Sequence, residues 1–396
     1  MFRALIWASL IFATVQPGAA QEPPAAFFPL MAWDGVPNDP AVFKEMRACG
    51  LTIAGFVAPE GLDACHAAGL KAIVNDARTS GYDWTNVDAA VARKGVTELV
   101  AQVKDHPAVY GYNLRDEPPA SFFPGLAKVA EVVKELHPGA WPYINLFPNY
   151  ADAGQLATPT YEAYLEKFVE VCQPPILSYD HYALLEGGSM RESYFENLEA
   201  VRRAGLKHNL PTWNIISAVA CLNYRAATPT DLAFQVNTTL AYGFRGIGYF
   251  KYFSEPIGNF RAAPIDHFGH KTPTWDMLRY VNLQVEKLAP TLLGLKSDRV
   301  YHFGEVPQGC TGPDDSSLVA GIGGKMLVGD FTHEDGTRYV MIVNKDFVQS
   351  VVCAPQFRTA PAKLELVSPY SGSPVAFAGE QVWLAPGHAH LLKITP

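Results

Sequence analysis

Residues 89–119 read AAVARKGVTELVAQVKDHPAVYGYNLRDEPP. The first part spaces its apolar residues three and four apart, the period of a helix with one buried face, and predicts a helix over 86–104. AVYGYNL (108–114) is a short apolar run of strand character. It leads directly into Arg115, Asp116 and Glu117. Helix, strand, then charge is one unit of a pattern that continues in both directions along the chain.

Upstream lie the strand candidates FPLMAW (28–33), LTIAGFV (51–57) and KAIVND (71–76). Downstream lie WPYINLF (141–147), PILSYDHY (175–182), PTWNII (211–216) and FRGIGYFKYF (244–253). Helical patterns fall near 39–48, 60–68, 121–137, 158–172, 190–204, 228–242 and 273–289. LAKVAEVVKELHP, for one, has helical spacing and stops at a proline. Eight strands thus alternate with eight helices. The strands are near-continuous apolar runs, as expected when both faces are covered. A closed eight-fold barrel needs about 250 residues, which 28–292 supplies. The expected fold is therefore α/β, a (β/α)8 TIM barrel. A doubly wound open sheet is the alternative, weakened because no glycine-rich phosphate loop follows the first strand.

The texture changes over 293–396. KMLVGDFTH and TRYVMIVNK flank the hairpin signal HEDGT, and SVVCAP, AKLELVSP and EQVWLAPGHAHLLKI follow. These predict a small antiparallel β-sandwich domain packed on the barrel, with a structural role. GIGG (321–324) lacks the strand-to-helix setting of a phosphate loop and reads as a turn.

Composition narrows the function. Of 396 residues, 48% are hydrophobic and 18% charged, enough for a large core and against a disordered chain. The net charge of −8 argues against a nucleic-acid partner. Residues 1–20 carry Arg3, the apolar run ALIWASLIFATV (4–15), and small residues at Gly18 and Ala20. This reads as a signal peptide cut near Ala20, followed by a leader at 21–27, and places the protein as secreted or periplasmic. The run is too short for a stable membrane span. Export permits disulfides among the six cysteines. Cys49 with Cys65 and Cys310 with Cys353 are the pairs closest in the chain; buried free thiols are the alternative.

Barrel enzymes build their sites at the C-terminal ends of the strands. Those ends carry Trp33 and Asp34; Asn75 and Asp76; Asn113, Arg115, Asp116 and Glu117; Asn145 and Asn149; Tyr179, Asp180, His181 and Tyr182; Trp213 and Asn214; and Lys251, Tyr252 and Glu255. No cofactor fingerprint is present. His267 and His270 with Asp266 follow no metal-ligand spacing, so neither a cofactor nor a metal is expected. No GxSxG occurs. Acids and amides among aromatics suit a carbohydrate, whose rings lie on Trp or Tyr faces while its hydroxyls bond to Asp, Asn and His. Trp33, Trp84 and Trp213 are candidate platforms. The expected substrate-binding set is Trp33, Asp34, Asp76, Asn113, Asp116, Asn145, Tyr179, His181, Trp213, Asn214 and Tyr252.

Three charges directly after an apolar strand are costly without a task. Glycosidic cleavage needs a carboxylic acid to protonate the leaving oxygen and a second carboxylate as nucleophile or base. Glu117 is the candidate acid. Asp116 is placed to bind a hydroxyl or tune it, and Arg115 to hold a neighbouring acid ionised.

YGYNLRDEP also resembles the fourth-strand motif of the large clan of retaining β/α-barrel glycoside hydrolases that includes the barrel β-galactosidases. There the strand ends in Asn-Glu or Asp-Glu, and the resemblance implies that Glu117 is the acid/base. TDLAFQVNTTLAYGFRGIGYFKYF (230–253) resembles the segment from helix seven to strand eight of related barrel sugar hydrolases. In that clan the nucleophile is a Glu ending strand seven, yet PTWNIISAVA (211–220) has no acid. Three explanations follow. A strand count off by one would make Glu255 the nucleophile. The nucleophile stands elsewhere on the rim, with Asp180 best placed. Or catalysis is lost and the barrel only binds glycans. A lyase or isomerase acting on a sugar acid through Asp34, Asp76 and His181 is a thinner reading.

Overall fold

The computed structural model describes residues 27–378 and 382–396; the expected signal peptide and all but the last residue of the leader lie outside the described residues. Eight parallel strands close into a barrel in chain order: β1 (Leu30–Gly35), β2 (Ile53–Val57), β3 (Lys71–Val74), β4 (Val109–Asp116), β5 (Trp141–Leu146), β6 (Leu177–Asp180), β7 (Thr212–Ser217) and β8 (Gly246–Phe250). β8 pairs back on β1, Leu30 opposite Ile247. This is the predicted (β/α)8 barrel. FRGIGYFKYF forms its eighth strand, so the off-by-one count is excluded and Glu255 follows strand eight.

The helices are α1 (Pro40–Ala48), α2 (Leu62–Ala67), α3 (Ala77–Ser80), α4 (Ala89–Val103), α5 (Phe123–Leu136), α6 (Ala153–Leu156), α7 (Tyr161–Cys172), α8 (Tyr194–His208), α9 (Pro229–Ala241) and α10 (Pro273–Gly294). α3 and α6 are single turns too short to show a period. Local chemistry starts several of the longer ones. The side chains of Asp39, Asp88, Thr160 and Thr228 accept from first-turn N–H groups, and α1, α9 and α10 begin on proline.

Side chains alternate across each strand. The inward ones plug the lumen: Tyr110, Trp141 and Trp213 at its N-terminal end, then Met31, Ile53, Ile73 and Tyr143, with Trp33 packed on Phe56 near the mouth. The outward ones meet the helices in the main core.

Beyond α10, the order β16–β15–β18–β12–β11–β9 forms a six-stranded antiparallel sheet: β9 (Leu295–His302), β11 (Met326–His333), β12 (Arg338–Asn344), β15 (Lys363–Val367), β16 (Pro374–Ala376) and β18 (Ala389–Thr395). One face sends Leu327, Phe331, Met341 and Leu391 into the barrel's own core. The other buries Val328, Val340, Ile342 and Leu392. Two small ribbons flank the sheet, β10 (Val319–Gly321) with β14 (Gln356–Phe357) and β13 (Val351–Val352) with β17 (Trp383–Leu384). They supply Val319, Val351, Phe357 and Leu384 to that second core, so the second layer is fragmentary. At Gly329 the sheet lies directly against the end of α9: a Cβ there would overlap the Ala241 carbonyl oxygen.

All six cysteines are free thiols, which corrects the expected pairings. Proximity in the chain did not bring their side chains together. Cys49 donates to the Trp275 carbonyl (3.6 Å) and Cys65 to the Leu70 carbonyl (3.6 Å). Cys310 meets the Tyr242 hydroxyl (3.5 Å), whereas Cys353 is buried in the β-domain.

Candidate active site

A β-bulge builds the site. Asn113 pairs with Tyr143, Arg115 with Ile144, and Asp116 with Asn145, so Leu114 is an extra residue in β4. The bulge resets the alternation, which lets both Asn113 and Asp116 face the lumen while Arg115 leans over the Phe122 ring (5.9 Å). Glu117 follows in the left-handed region at φ +42°, its N–H held by the Asn145 carbonyl (2.8 Å). That conformation is strained for a non-glycine residue, and such strain concentrates at functional sites.

Asn145 organises the carboxyls. Its Nδ2 donates to Asp180 Oδ1 (2.8 Å) and Asp116 Oδ1 (3.1 Å), while its Oδ1 accepts from the Ser178 hydroxyl (3.1 Å). Ser178 in turn meets the Tyr143 hydroxyl (3.0 Å). Asp180 is only 2% exposed, and it and Glu117 are near enough for the charge of one to act on the other. Among the described residues, no N–H or O–H reaches its Oδ2. Two neighbouring buried carboxyls disfavour double ionisation, so the pair favours keeping a proton. Burial first, then the charges of Glu117 and Asp116, push Asp180 well above the usual carboxylate range. Burial and the Asp116 charge push Glu117 up to about 7, opposed by its contact with Asp180. Asp116 is open to solvent at the mouth, yet crowded by protein on its other sides. That crowding raises it to about 6, against the pull of Asn145 and Arg115.

Glu117 opens into a cleft of about 310 Å³ walled by Phe147, Tyr150, Tyr182, Tyr224, Phe250 and Phe260. Tyr182 packs on Phe250 (4.9 Å) and Tyr224 (5.3 Å), and the Arg191 guanidinium sits over Tyr150 (4.1 Å). Tyr150, Tyr224 and Phe260 come from loops whose sequence carries no periodic signal, and none of them was anticipated.

Across the rim Asp34 and Glu255 belong to Lys251. Its Nζ lies 3.1 Å from Asp34 and also bonds Glu255. The charged neighbours that act on Glu117 are Asp116 and Asp180, not these two. Asn113 donates to Asn75 (3.0 Å) beside Asp116. The mouth therefore collects Glu117, Asp180, Asp116, Asn145, Asn113 and, below them, Trp33.

Other predicted site residues point elsewhere. Asp76 caps α3 and is gripped by Arg78 through two 2.8 Å bonds, which lower its pKa. Trp213 lies in the plug at the N-terminal end, stacked on Tyr110 (6.2 Å). Asn214 faces outward and donates to Thr239 of α9 (2.9 Å). Tyr179 faces outward too, against Phe244 (6.0 Å). Tyr252 accepts from the Trp275 indole (3.0 Å) beneath a separate cavity of about 510 Å³ lined by Asp34 and His267. His181 is buried against Tyr150 and Tyr194, bonds Asn197 (2.9 Å), and is held neutral by burial, its pKa pushed down to about 3. Trp84 is a core residue 4% exposed. Among the described residues, no three His, Cys, Asp or Glu side chains gather as metal ligands, and no helix is long and apolar enough to cross a membrane.

No protein-family model matches the sequence, and no curated protein matches it. Solved structures share the fold. A glycoside hydrolase aligns over 93% of both chains at 13% identity with a TM-score of 0.59. A glycoside hydrolase family 5 protein from Bacteroides vulgatus aligns over 93% of this chain and 90% of its own at 11% identity, TM-score 0.60. The β-galactosidase from Marinomonas ef1 is matched over 66% of this chain at 13% identity, TM-score 0.48; the chain spans 60% of that protein's length. At these identities the shared property is the barrel architecture.

Proposed function

We propose that this protein hydrolyses a glycosidic bond of an extracytoplasmic oligo- or polysaccharide, with Glu117 as general acid/base. The observation that carries the reading is the Glu117 carboxyl, raised to about 7 at the floor of an aromatic cleft at the barrel mouth. A general acid works best with a pKa near the working pH. The expected signal peptide and the two glycoside hydrolases that share the whole-chain architecture support this reading. Trp33 and the cleft aromatics would carry sugar rings, while Asn113 and Asp116 would bind hydroxyls or amides. Asp180 is enclosed, 2% exposed and held by Asn145 (2.8 Å), which leaves its carboxyl little access to an anomeric carbon in the cleft. Its role here is to share the proton and position Glu117.

The test is Glu117→Gln on aryl glycosides of graded leaving ability. Turnover of poor leaving groups falls by about 100-fold or more, good leaving groups lose less, and binding stays near wild type. Equal turnover by the variant overturns the assignment. One observation favours a second reading: β7 ends in Ser217 and carries no carboxylate. A glycan-binding protein without turnover would show calorimetric binding of oligosaccharides and no activity in either form.

A further inference from the structure

The carboxyl inventory of the mouth has a gap. A retaining reaction needs a nucleophile facing the anomeric carbon across from the acid. Asp180 is enclosed and its Oδ1 is held by Asn145 (2.8 Å). Glu255 and Asp34 are bound to Lys251. Ser217 is buried and its hydroxyl donates to the Val219 carbonyl (2.9 Å). What remains is Asp116. It is exposed at the mouth, adjacent to the acid, and aimed inward by the β4 bulge. Asn145 holds its Oδ1 (3.1 Å), and the residue stays exposed to solvent. Tyr182 stands close enough to Asp180, Asp116 and Glu117 to feel the charge of each. It packs with Phe250 into an apolar wall.

Resting on the hydrolase reading, we infer that the substrate is a 2-acetamido-2-deoxy sugar, which supplies its own nucleophile and uses Asp116 as the acceptor for its amide N–H. The steps balance. The acetamide carbonyl oxygen forms a bond to C1 as the C1–O bond to the leaving group breaks. Glu117 gives its proton to that departing oxygen. The resulting oxazolinium ring carries positive charge on its N–H, which the Asp116 carboxylate accepts and neutralises. Water then attacks C1 and gives a proton to the Glu117 carboxylate, and the ring oxygen bond to C1 breaks to restore the acetamide. Two displacements return the original configuration, and no protein carboxylate need attack. The phenol of Tyr182, kept protonated by burial, is placed to donate to the carbonyl oxygen, while the Tyr182–Phe250 wall receives the methyl group.

The test uses 4-nitrophenyl glycosides of glucose, galactose and mannose configuration, both anomers, each as a matched 2-acetamido and 2-hydroxy pair. The expected result is turnover of a 2-acetamido member with kcat/KM at least about 100-fold above its 2-hydroxy partner, and a kcat that falls at least about tenfold when the acetyl group is replaced by trifluoroacetyl. Asp116→Asn should lower kcat on that substrate by about 100-fold, with unchanged circular dichroism showing that the variant folds. Glu117-dependent turnover of 2-hydroxy glycosides at equal or higher rate, or indifference to fluorination, overturns the inference and leaves the hydrolase reading standing. Absence of Glu117-dependent turnover in both sets overturns both.

Discussion

Asn145 touches two of the three carboxyls at the mouth, so one amide sets the spacing of the cluster. Asn145→Ala should lower kcat by about 10- to 100-fold with KM within about threefold, because orientation rather than binding is lost; steady-state kinetics on a responsive aryl glycoside check this. The pH–rate profile should be a narrow bell. Its acid limb lies near 6, where Asp116 must be ionised, and its alkaline limb near 7, where Glu117 must keep its proton. Both limbs belong to the interacting cluster, not to single residues. Glu117→Gln should remove the alkaline limb. The same groups link to stability. An acid raised in the folded state contributes stability below its unfolded pKa and loses it as pH rises through the folded one, here toward about 7. A neutral glutamine avoids that loss. After discounting for the half-buried position, Glu117→Gln should be about 1 kcal/mol more stable than wild type at pH 8, with no such gain near pH 4.5. Urea midpoints at the two pH values measure it.

At the scale of elements, the barrel depends on close strand approach. Gly55 in β2 is an example: a Cβ there would overlap the Ala32 carbonyl oxygen and press on Asp34. Backbone atoms cannot swing aside as a flexible side chain does. Gly55→Ala should cost about 1–3 kcal/mol, read as a lower urea midpoint, and should lower activity because Asp34 sits at the rim. The β4 bulge is the complementary device. Without the extra Leu114, strict alternation would send either Asn113 or Asp116 outward. It explains why a stretch of one strand delivers two inward polar residues and a strained Glu117.

At the scale of the whole molecule, barrel and β-domain share one core. Phe331, Met341 and Leu391 lie in the same apolar cluster as α9 and α10, and Asn237 of α9 donates to the Gly387 carbonyl (3.0 Å). Truncation after Gly294 should expose this face. The shortened chain is expected to bind an apolar dye and to precipitate on expression, against a soluble full-length control. The thiols offer a second global reading: at most Cys310, the one half-buried thiol, should react with a thiol reagent before unfolding, and all six after it.

The alternation of apolar runs with helical periods determined the barrel, because strand and helix periods are local properties that a single chain displays. So was the choice of β4: Arg115, Asp116 and Glu117 after an apolar run announce a rim wherever the strand sits. Asn145 and Asp180 were legible for the same reason. What the tertiary structure alone decided was direction and distance. Trp213, Asn214, Tyr179 and Asp76 stand at or near strand ends in the chain, but the pleat turns Asn214 and Tyr179 outward, the lumen packing claims Trp213, and Arg78 claims Asp76. Which acids touch, which bind Lys251, and which aromatics wall the cleft depend on loops meeting across the barrel. Those encounters join residues far apart in the chain, Asp34 and Lys251 among them, and no local pattern encodes them.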